Sequence, residues 1–298
     1  MKISLTATLP ALFMLAVASQ EVGAAQSPRV VVTIPPIHAI VAGVMAGVGE
    51  PTLLVRGGAS PHSYSLLPSQ ARALNEARLV VRVSEYLESF LDRAIESLTG
   101  KADVITLSQV EGMTLHDTRE GSLRKQHDPH LWLDPQNAKR IATAVSMKLQ
   151  KVYPEHAKTF TANTKKLIGK LDILDRDVLA ATKPLRTRPY IVFHDATRYF
   201  EERYRLKPVR AITISPDRPI GTRRASEIRA TIKSQGVTCV FAEPQFQPKL
   251  VQSLISGTGA RAGVLDPIGA GLPAGPELYF KLMRNLATSL AVCLKNPS

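Results

Sequence analysis

The chain has 298 residues and a formal net charge of +13, from 38 Lys and Arg residues against 25 Asp and Glu residues. Aromatic residues make up only 5% of it and the basic residues are scattered, so the stacking platforms and basic clusters of nucleic-acid-binding proteins are not evident. The charge instead indicates a solvated basic surface, with no nucleic acid as a partner. The length is sufficient for two domains, each with its own core.

The first 25 residues read MKISLTATLPALFMLAVASQEVGAA. Lys2 supplies a positive charge, residues 5–19 are mostly apolar, and small residues close the segment. This pattern predicts a secretory signal peptide, residues 1–25, cleaved near Ala24 or Ala25. The apolar run is short for a membrane span of about 20 residues, and no cysteine follows it to carry a lipid anchor. We therefore expect an exported, periplasmic protein.

Eight short apolar runs predict β-strands, and helical stretches lie between most of them. The strands are predicted at residues 29–34, 52–55, 79–83, 104–107, 190–193, 209–213, 237–242 and 262–265. The helices are predicted at residues 37–48, 69–77, 86–98, 222–234, 248–258 and 276–294. Nearly continuous apolar strands are typical of parallel sheets that are covered on both faces. The alternation of strand and helix therefore predicts an α/β fold with parallel sheets.

Residues 135–182 contain no strand candidate. Asp134 followed by Pro135 is a favourable N-cap and first helical position. The helical pattern breaks at Pro154 and resumes over residues 155–182, a length that would span about 42 Å. Four strands precede this segment and four follow it. We therefore predict an N-terminal lobe (26–153), a rigid connecting helix (154–184) and a C-terminal lobe (185–298).

Four candidate metal ligands follow strands of this predicted fold. His62 lies after the second strand, His130 lies after the fourth, and His194 and Asp266 directly follow the fifth and eighth. Open α/β sheets bind their ligands at these carboxyl ends. Three imidazoles and one carboxylate suit tetrahedral Zn²⁺, whereas manganese and calcium prefer sites rich in oxygen. The sequence therefore predicts a metal site between the lobes, for which zinc, copper and nickel are candidates. Asp266 also precedes Pro267, so its alternative role is in a turn.

The segment QHDPHLWLDP, residues 126–135, contains two histidines that could be the metal ligand. His127 competes with His130 as the ligand, and a single loop histidine is more often a surface residue. We interpret His127 and Asp128 as residues at the rim of the site. Trp132 and Leu133 are interpreted as core residues that hold the loop in place.

The chain has two cysteines, Cys239 and Cys293. In an exported protein an isolated pair is most simply a disulfide, and closing a loop of 54 positions would contribute about 4 kcal/mol on the chain-entropy estimate. Two buried free thiols are the alternative.

Several motifs resemble those of one family, in the same order along essentially the whole chain. They are GASPHSYSLLPSQARAL, DPHLWLDPQNAKRIA, VFHDATRYF, TCVFAEPQF and LDPIG. The chain resembles the zinc-binding solute receptors of bacterial ABC importers, the ZnuA type within the TroA-like proteins. The resemblance implies two α/β lobes, a long backbone helix, a metal at their interface and a membrane permease as partner. We expect a monomer.

The resemblance also implies site residues. The family's three histidine positions fall on His62, His130 and His194, and manganese-binding relatives have glutamate at the third. Asp266 matches a carboxylate that completes the site in several relatives, although water or another acidic residue does so in others. The cysteine pair matches the disulfide of the zinc subgroup. The long histidine-rich loop of many zinc members is reduced here to MTLHDTREGSLRKQHDPH, where His116 and His127 leave a weak accessory site open.

The predicted function is that of an extracytoplasmic receptor that captures Zn²⁺, as transported ligand and not as catalytic cofactor, and delivers it to an importer. A manganese or iron receptor is an alternative, as is a surface adhesin. A zinc hydrolase is a further alternative, which would need an open metal position and a general base. Glu243 is the only obvious candidate base. We interpret it instead as a residue that makes hydrogen bonds behind the ligands or in packing, and we expect no enzyme activity.

Overall fold

Two parallel four-stranded sheets form the framework of the protein. The computed structural model describes residues 28–98, 101–119, 127–213, 216, 219–246 and 249–295, so the predicted signal peptide lies outside the described residues. The strands of the first sheet are β1 (Val30–Val32), β2 (Thr52–Leu53), β3 (Leu79–Arg82) and β4 (Asp103–Thr106). Those of the second are β5 (Tyr190–His194), β6 (Arg210–Thr213), β7 (Cys239–Ala242) and β8 (Arg261–Val264). The orders are β2-β1-β3-β4 and β6-β5-β7-β8. All eight predicted strands and the α/β fold class are confirmed.

The helices of the described chain follow these strands. They are α1 (Pro35–Val44), α2 (Pro68–Glu76), α3 (Asp92–Ser97), α4 (Pro135–Val152), α5 (Ala157–Thr182), α6 (Arg198–Tyr204), α7 (Thr222–Ser234), α8 (Lys249–Ile255) and α9 (Leu278–Lys295). The helix predicted over 86–98 is shorter than expected. Glu88 explains the difference, because its buried carboxylate accepts hydrogen bonds from the N–H groups of Val83 and Ser84, both at 2.9 Å. These bonds hold the chain in a turn ahead of α3.

Both faces of each sheet are covered by helices. Helices α2 and α3 cover the outer face of the first sheet, and α7 and α8 cover the outer face of the second. The inner faces belong to one continuous hydrophobic cluster, which contains side chains of both sheets and of α1, α4, α5 and α9. The two lobes therefore share a core.

The predicted long helix is confirmed as α5, whose 26 residues span about 39 Å. Its buried stripe consists of Leu167, Leu171, Leu174 and Val178, and the helix contacts α1, α4 and α9. A 3₁₀ turn, Pro154–His156, separates it from α4. Helix α4 begins as predicted, because Asp134 Oδ1 accepts a hydrogen bond from the Gln136 N–H at 2.8 Å.

A disulfide joins the second sheet to the last helix. Cys239 in β7 and Cys293 in α9 are bonded, with 6.1 Å between their Cα atoms. The alternative of two free thiols is thereby excluded. None of the helices in the described ranges has an apolar stretch long enough to cross a bilayer.

Candidate metal centre

Three short segments at the carboxyl ends of strands present histidines to the space between the sheets. His62 lies on a 3₁₀ turn, Pro61–Ser63, whose start is capped by Ser60 Oγ accepting from the His62 N–H at 3.3 Å. His130 directly precedes a second 3₁₀ turn, Leu131–Leu133. His194 is the last residue of β5. The first two therefore come from the N-terminal half of the chain and the third comes from the C-terminal half.

The three imidazoles converge on one point. One nitrogen from each ring lies within 4.8 Å of the other two, and the Nε2 atoms of His130 and His194 are 3.3 Å apart. Two nitrogens bound to one tetrahedral zinc, each at about 2.0–2.1 Å, are separated by about 3.3–3.4 Å. The pair formed by His130 and His194 therefore already has the spacing that zinc requires.

Asp266 is not brought into this group. Its Oδ1 accepts hydrogen bonds from the N–H groups of Ile268 at 3.2 Å and Gly269 at 2.8 Å. This is the turn role named above as the alternative for an aspartate before a proline. A ligand role for Asp266 stays a prediction.

Carboxylates hold the far side of two of the rings. The Nδ1 atom of His130 lies 2.7 Å from Asp128 Oδ1, and the Nδ1 atom of His194 is hydrogen bonded to Glu243 Oε1. An ionised carboxylate only accepts hydrogen bonds, so each Nδ1 beside one carries the proton and directs its Nε2 to the metal position. Burial raises the pKa of Asp128 to about 7, so its carboxyl is ionised in only part of the molecules at neutral pH. The predicted hydrogen-bonding role of Glu243 is confirmed, since it bonds His194, a candidate ligand.

Asp128 was expected at the rim, and that expectation is wrong. Its side chain is only 1% exposed, and Oδ1 also accepts the backbone N–H of His130 at 2.9 Å. The Tyr199 hydroxyl donates to its carbonyl at 2.9 Å. A signal for this role was available, because an aspartate two residues before a ligand can bond the backbone there and fix the turn.

Burial and charge set the protonation of the three candidate ligands. Burial, reinforced by the neighbouring imidazoles, lowers the pKa of His62 to about 2, and the same causes lower that of His130 well below its ordinary value. Burial also acts to lower the pKa of His194, but the charge and hydrogen bond of Glu243 outweigh it and raise that pKa. His62 and His130 are therefore neutral, whereas His194 retains a proton more readily.

The space between the rings is small and is lined by residues of both lobes. It has a volume of about 20 Å³ and is bordered by the three histidines together with Trp132, Gln245 and Phe246, among others. The Trp132 indole N–H donates to the Pro267 carbonyl at 2.8 Å, so this core residue ties the two lobes together beside the site. A cavity of this size accommodates about one water-sized species.

The other two histidines of the segment MTLHDTREGSLRKQHDPH, His116 and His127, lie outside the cluster. His127 is exposed, with its Nδ1 3.0 Å from Asp117 Oδ1, and the His116 ring packs against Tyr199 with centroids 4.7 Å apart. Within the described residues, only His62, His130 and His194 form a cluster of three or more potential metal ligands. An accessory site at His116 and His127 stays a prediction, because residues 120–126 lie outside the described chain.

Comparison with known proteins identifies the family. The family model described as "Zinc-uptake complex component A periplasmic" (ZnuA) matches residues 30–293. The chain belongs to the ZnuA family. The high-affinity zinc uptake system protein ZnuA of Brucella abortus (strain 2308) is 42% identical, with 91% of this chain and 93% of that protein covered.

Two solved structures of ZnuA-type proteins have the same fold. A crystal structure of ZnuA superposes with a TM-score of 0.78 at 26% identity, covering 89% of this chain and 98% of that one. A ZnuA deletion mutant with zinc bound gives the same TM-score and identity, covering 89% of this chain and 97% of that one. The predicted family resemblance is thereby confirmed.

Proposed function

We propose that the protein is an extracytoplasmic receptor that binds Zn²⁺ through His62, His130 and His194 and delivers it to the membrane permease of an ABC importer. One observation carries the proposal. Three imidazoles from both halves of the chain surround a space of ion size, with their ligand atoms within 4.8 Å of one another, and the pair formed by His130 and His194 already has the separation that tetrahedral zinc requires. The ZnuA membership and the zinc-uptake names of the relatives support it.

The donor set favours zinc among the metals of related receptors. All three proposed ligands are imidazole nitrogens, which suit zinc, copper and nickel, whereas manganese prefers oxygen-rich sites. The zinc-bound ZnuA deletion mutant supports the same choice. A manganese or iron receptor would be expected to replace at least one of these imidazoles with a carboxylate.

The shape of the site favours capture over catalysis. A hydrolase needs room for an organic substrate beside the metal and a free general base. Here the space is about 20 Å³, and the Glu243 carboxylate is already hydrogen bonded to both Nδ1 and the backbone N–H of His194. We therefore infer a receptor and not an enzyme.

The predicted signal peptide and the family membership support a periplasmic location. The predicted signal peptide would export the protein to the periplasm, where the family component acts according to its description. A basic surface would favour approach to an anionic membrane face. The permease is the expected protein partner.

Competition binding tests the proposal directly. Metal-stripped protein is titrated with zinc against a chromophoric chelator of known affinity, and a dissociation constant well below about 1 µM is expected. The variants His62→Ala, His130→Ala and His194→Ala should each weaken binding at least about 100-fold, since losing a group that merely orients a ligand already costs about 10–100-fold. His156→Ala, which replaces a histidine on the 3₁₀ turn before α5, is the matched control and should leave the affinity unchanged.

Two outcomes would contradict the proposal. One is micromolar or weaker zinc binding by the wild-type protein. The other is a triple histidine variant that binds as tightly as wild type. Preferential binding of Mn²⁺ in the same competition assay would favour the manganese alternative.

A further inference from the structure

The chain before His130 pairs with itself as a short antiparallel bridge. Asp117 and His127 are the bridge partners, and the Asp128 N–H donates to the His116 carbonyl at 2.8 Å. In a regular antiparallel ladder, residues paired in this way exchange two bonds, one in each direction. The His116 N–H would then donate to the Asp128 carbonyl.

A side chain from the other half of the protein takes the place of this second bond. The Tyr199 hydroxyl accepts from the His116 N–H at 3.1 Å and donates to the Asp128 carbonyl at 2.9 Å. Tyr199 lies on α6, between β5 and β6, whereas the paired segments follow β4. It is 1% exposed, and its ring packs against that of His116. The hydroxyl is therefore built into the ladder as a spacer between the two segments.

Asp128 connects this hydroxyl to a candidate ligand. Its Oδ1 accepts the His130 backbone N–H at 2.9 Å and lies 2.7 Å from the Nδ1 atom of the same residue. The carbonyl held by Tyr199 and the carboxyl that holds His130 thus belong to one residue. Any displacement of Asp128 moves the imidazole, whose Nε2 atom is 3.3 Å from that of His194.

Other contacts hold the same segment to α6. Arg198 donates to the Asp117 carbonyl, and Arg119 is paired with Glu201. These ties would remain if the Tyr199 hydroxyl were removed. The released N–H and carbonyl groups could then bond each other as in a regular ladder, so little backbone hydrogen bonding would be lost. The expected effect is a shift of the segment, and not its detachment.

We propose that Tyr199 is a positioning residue for zinc binding, whose hydroxyl fixes His130 through Asp128. The inference rests on the proposed zinc-binding function of the three histidines. It means that His130 and His194 are both held by the C-terminal half of the chain, one through α6 and the other directly on β5. Residues that orient a metal-bound histidine change metal affinity about 10–100-fold. Tyr199 acts one contact further away, so a smaller effect is expected.

Two tyrosine variants of the same helix test the assignment. Tyr199→Phe removes the hydroxyl and keeps the ring, and should weaken zinc binding about 3–10-fold in chelator competition. Tyr204→Phe is the matched control, because Tyr204 is also buried on α6 and its hydroxyl donates to Asp175 Oδ1 at 3.2 Å. It should leave the zinc affinity unchanged. Urea unfolding of the metal-free variants serves as the control for folding.

Two further readouts separate positioning from a general structural role. Cobalt(II) bound in place of zinc has visible absorption bands that report the geometry of its ligands. These bands should change in Tyr199→Phe and stay as in wild type in Tyr204→Phe. Adding Tyr199→Phe to Asp128→Ala should cause no further loss of zinc affinity, because the hydroxyl acts through Asp128 and the two effects are not independent.

An unchanged zinc affinity or an unchanged cobalt spectrum in Tyr199→Phe would overturn the inference. So would an equal loss of affinity in Tyr204→Phe, or a Tyr199→Phe loss that persists in full in the Asp128→Ala background. If the wild-type protein binds no zinc, the proposed function itself fails. If it binds zinc tightly and Tyr199→Phe binds it equally well, only the role of Tyr199 fails.

Discussion

The carboxylate of Glu243 should control how tightly His194 binds zinc. Glu243→Ala removes the acceptor of the His194 Nδ1 proton and a weaker contact to its backbone N–H at 3.3 Å. Glu243→Gln keeps an oxygen that can accept the same proton but removes the charge. Comparison of the two variants separates orientation of the ring from the effect of the carboxylate charge.

The expected magnitude follows from the geometry of the site. The His194 Nε2 atom is 3.3 Å from that of His130, the spacing of two tetrahedral zinc ligands, and Glu243 is what holds the ring there. Loss of such a partner weakens metal binding about 10–100-fold, which is about 1.4–2.8 kcal/mol. We expect a loss of zinc affinity near 100-fold for Glu243→Ala and near tenfold for Glu243→Gln, because the amide oxygen preserves the orientation of the His194 ring.

The pH dependence supplies a second readout. Glu243 raises the pKa of His194, so in acid a proton competes with zinc more strongly in wild type than in Glu243→Gln. The affinity ratio of wild type to variant should therefore shrink as the pH falls from 7.5 to 6.0. Chelator competition at both pH values measures the ratio. Glu227→Gln, which removes an exposed carboxylate paired with Arg223, is the matched control.

The reasoning would be refuted by a loss of less than about threefold in Glu243→Ala. It would also be refuted if Glu243→Gln and Glu243→Ala were indistinguishable at both pH values. Either result would mean that the strand alone, and not the carboxylate, sets the position of the imidazole.

Three further predictions concern acid, packing and the disulfide. Zinc affinity should fall as pH decreases towards 5.5, approaching tenfold per pH unit, because His194 alone among the three histidines has a raised pKa and gives up one proton per metal; a slope near three in the plot of log affinity against pH, measured by calorimetry, would contradict this. Gly263→Ala would place a Cβ atom 2.5 Å from a phenylalanine ring of β7 and should destabilise the protein by about 1–3 kcal/mol. By contrast, Gly169→Ala, in open space on α5, should stabilise by about 0.5–1 kcal/mol, and equal urea midpoints for the two would contradict the packing argument. Replacing Cys239 and Cys293 with Ser should lower the unfolding free energy by about 4 kcal/mol relative to the oxidised wild type, for a loop closed by a separation of 54 residues. Reduced wild type, which also lacks the disulfide, is the control and should show a similar loss in urea unfolding.

The fold was predictable from the sequence because its strands are covered on both faces. Strands such as β1 and β7 are wholly buried, so they read as unbroken apolar runs, and the buried stripe of α5 has the helical period. Helix α3 was harder to predict. The segment before it is held by hydrogen bonds of the Glu88 carboxylate to backbone groups, and helix propensity does not contain that information.

The site was predictable in position but not in its details. His62, His130 and His194 follow strands whose ends face one another, so topology alone brings them near. What the sequence does not contain is the direction of each side chain. Asp128 turns inwards to hold a ring, while Asp266 turns towards its own backbone. Both are aspartates beside a proline in a loop, and only the surrounding packing distinguishes them.

The shared core constrains how zinc can leave. Opening the lobes would expose apolar surface between α5 and its neighbours α1, α4 and α9. Exposing apolar surface costs a free energy of about 25 cal/mol per Å². His130 and His194 are 5% and 4% exposed and are each held by a carboxylate. His62 differs, because it lies on a single 3₁₀ turn, partly exposed, after two glycines, Gly57 and Gly58, with positive φ. Moving this turn exposes less buried apolar surface than separating the lobes does. The structure therefore favours release of zinc through movement of the His62 turn.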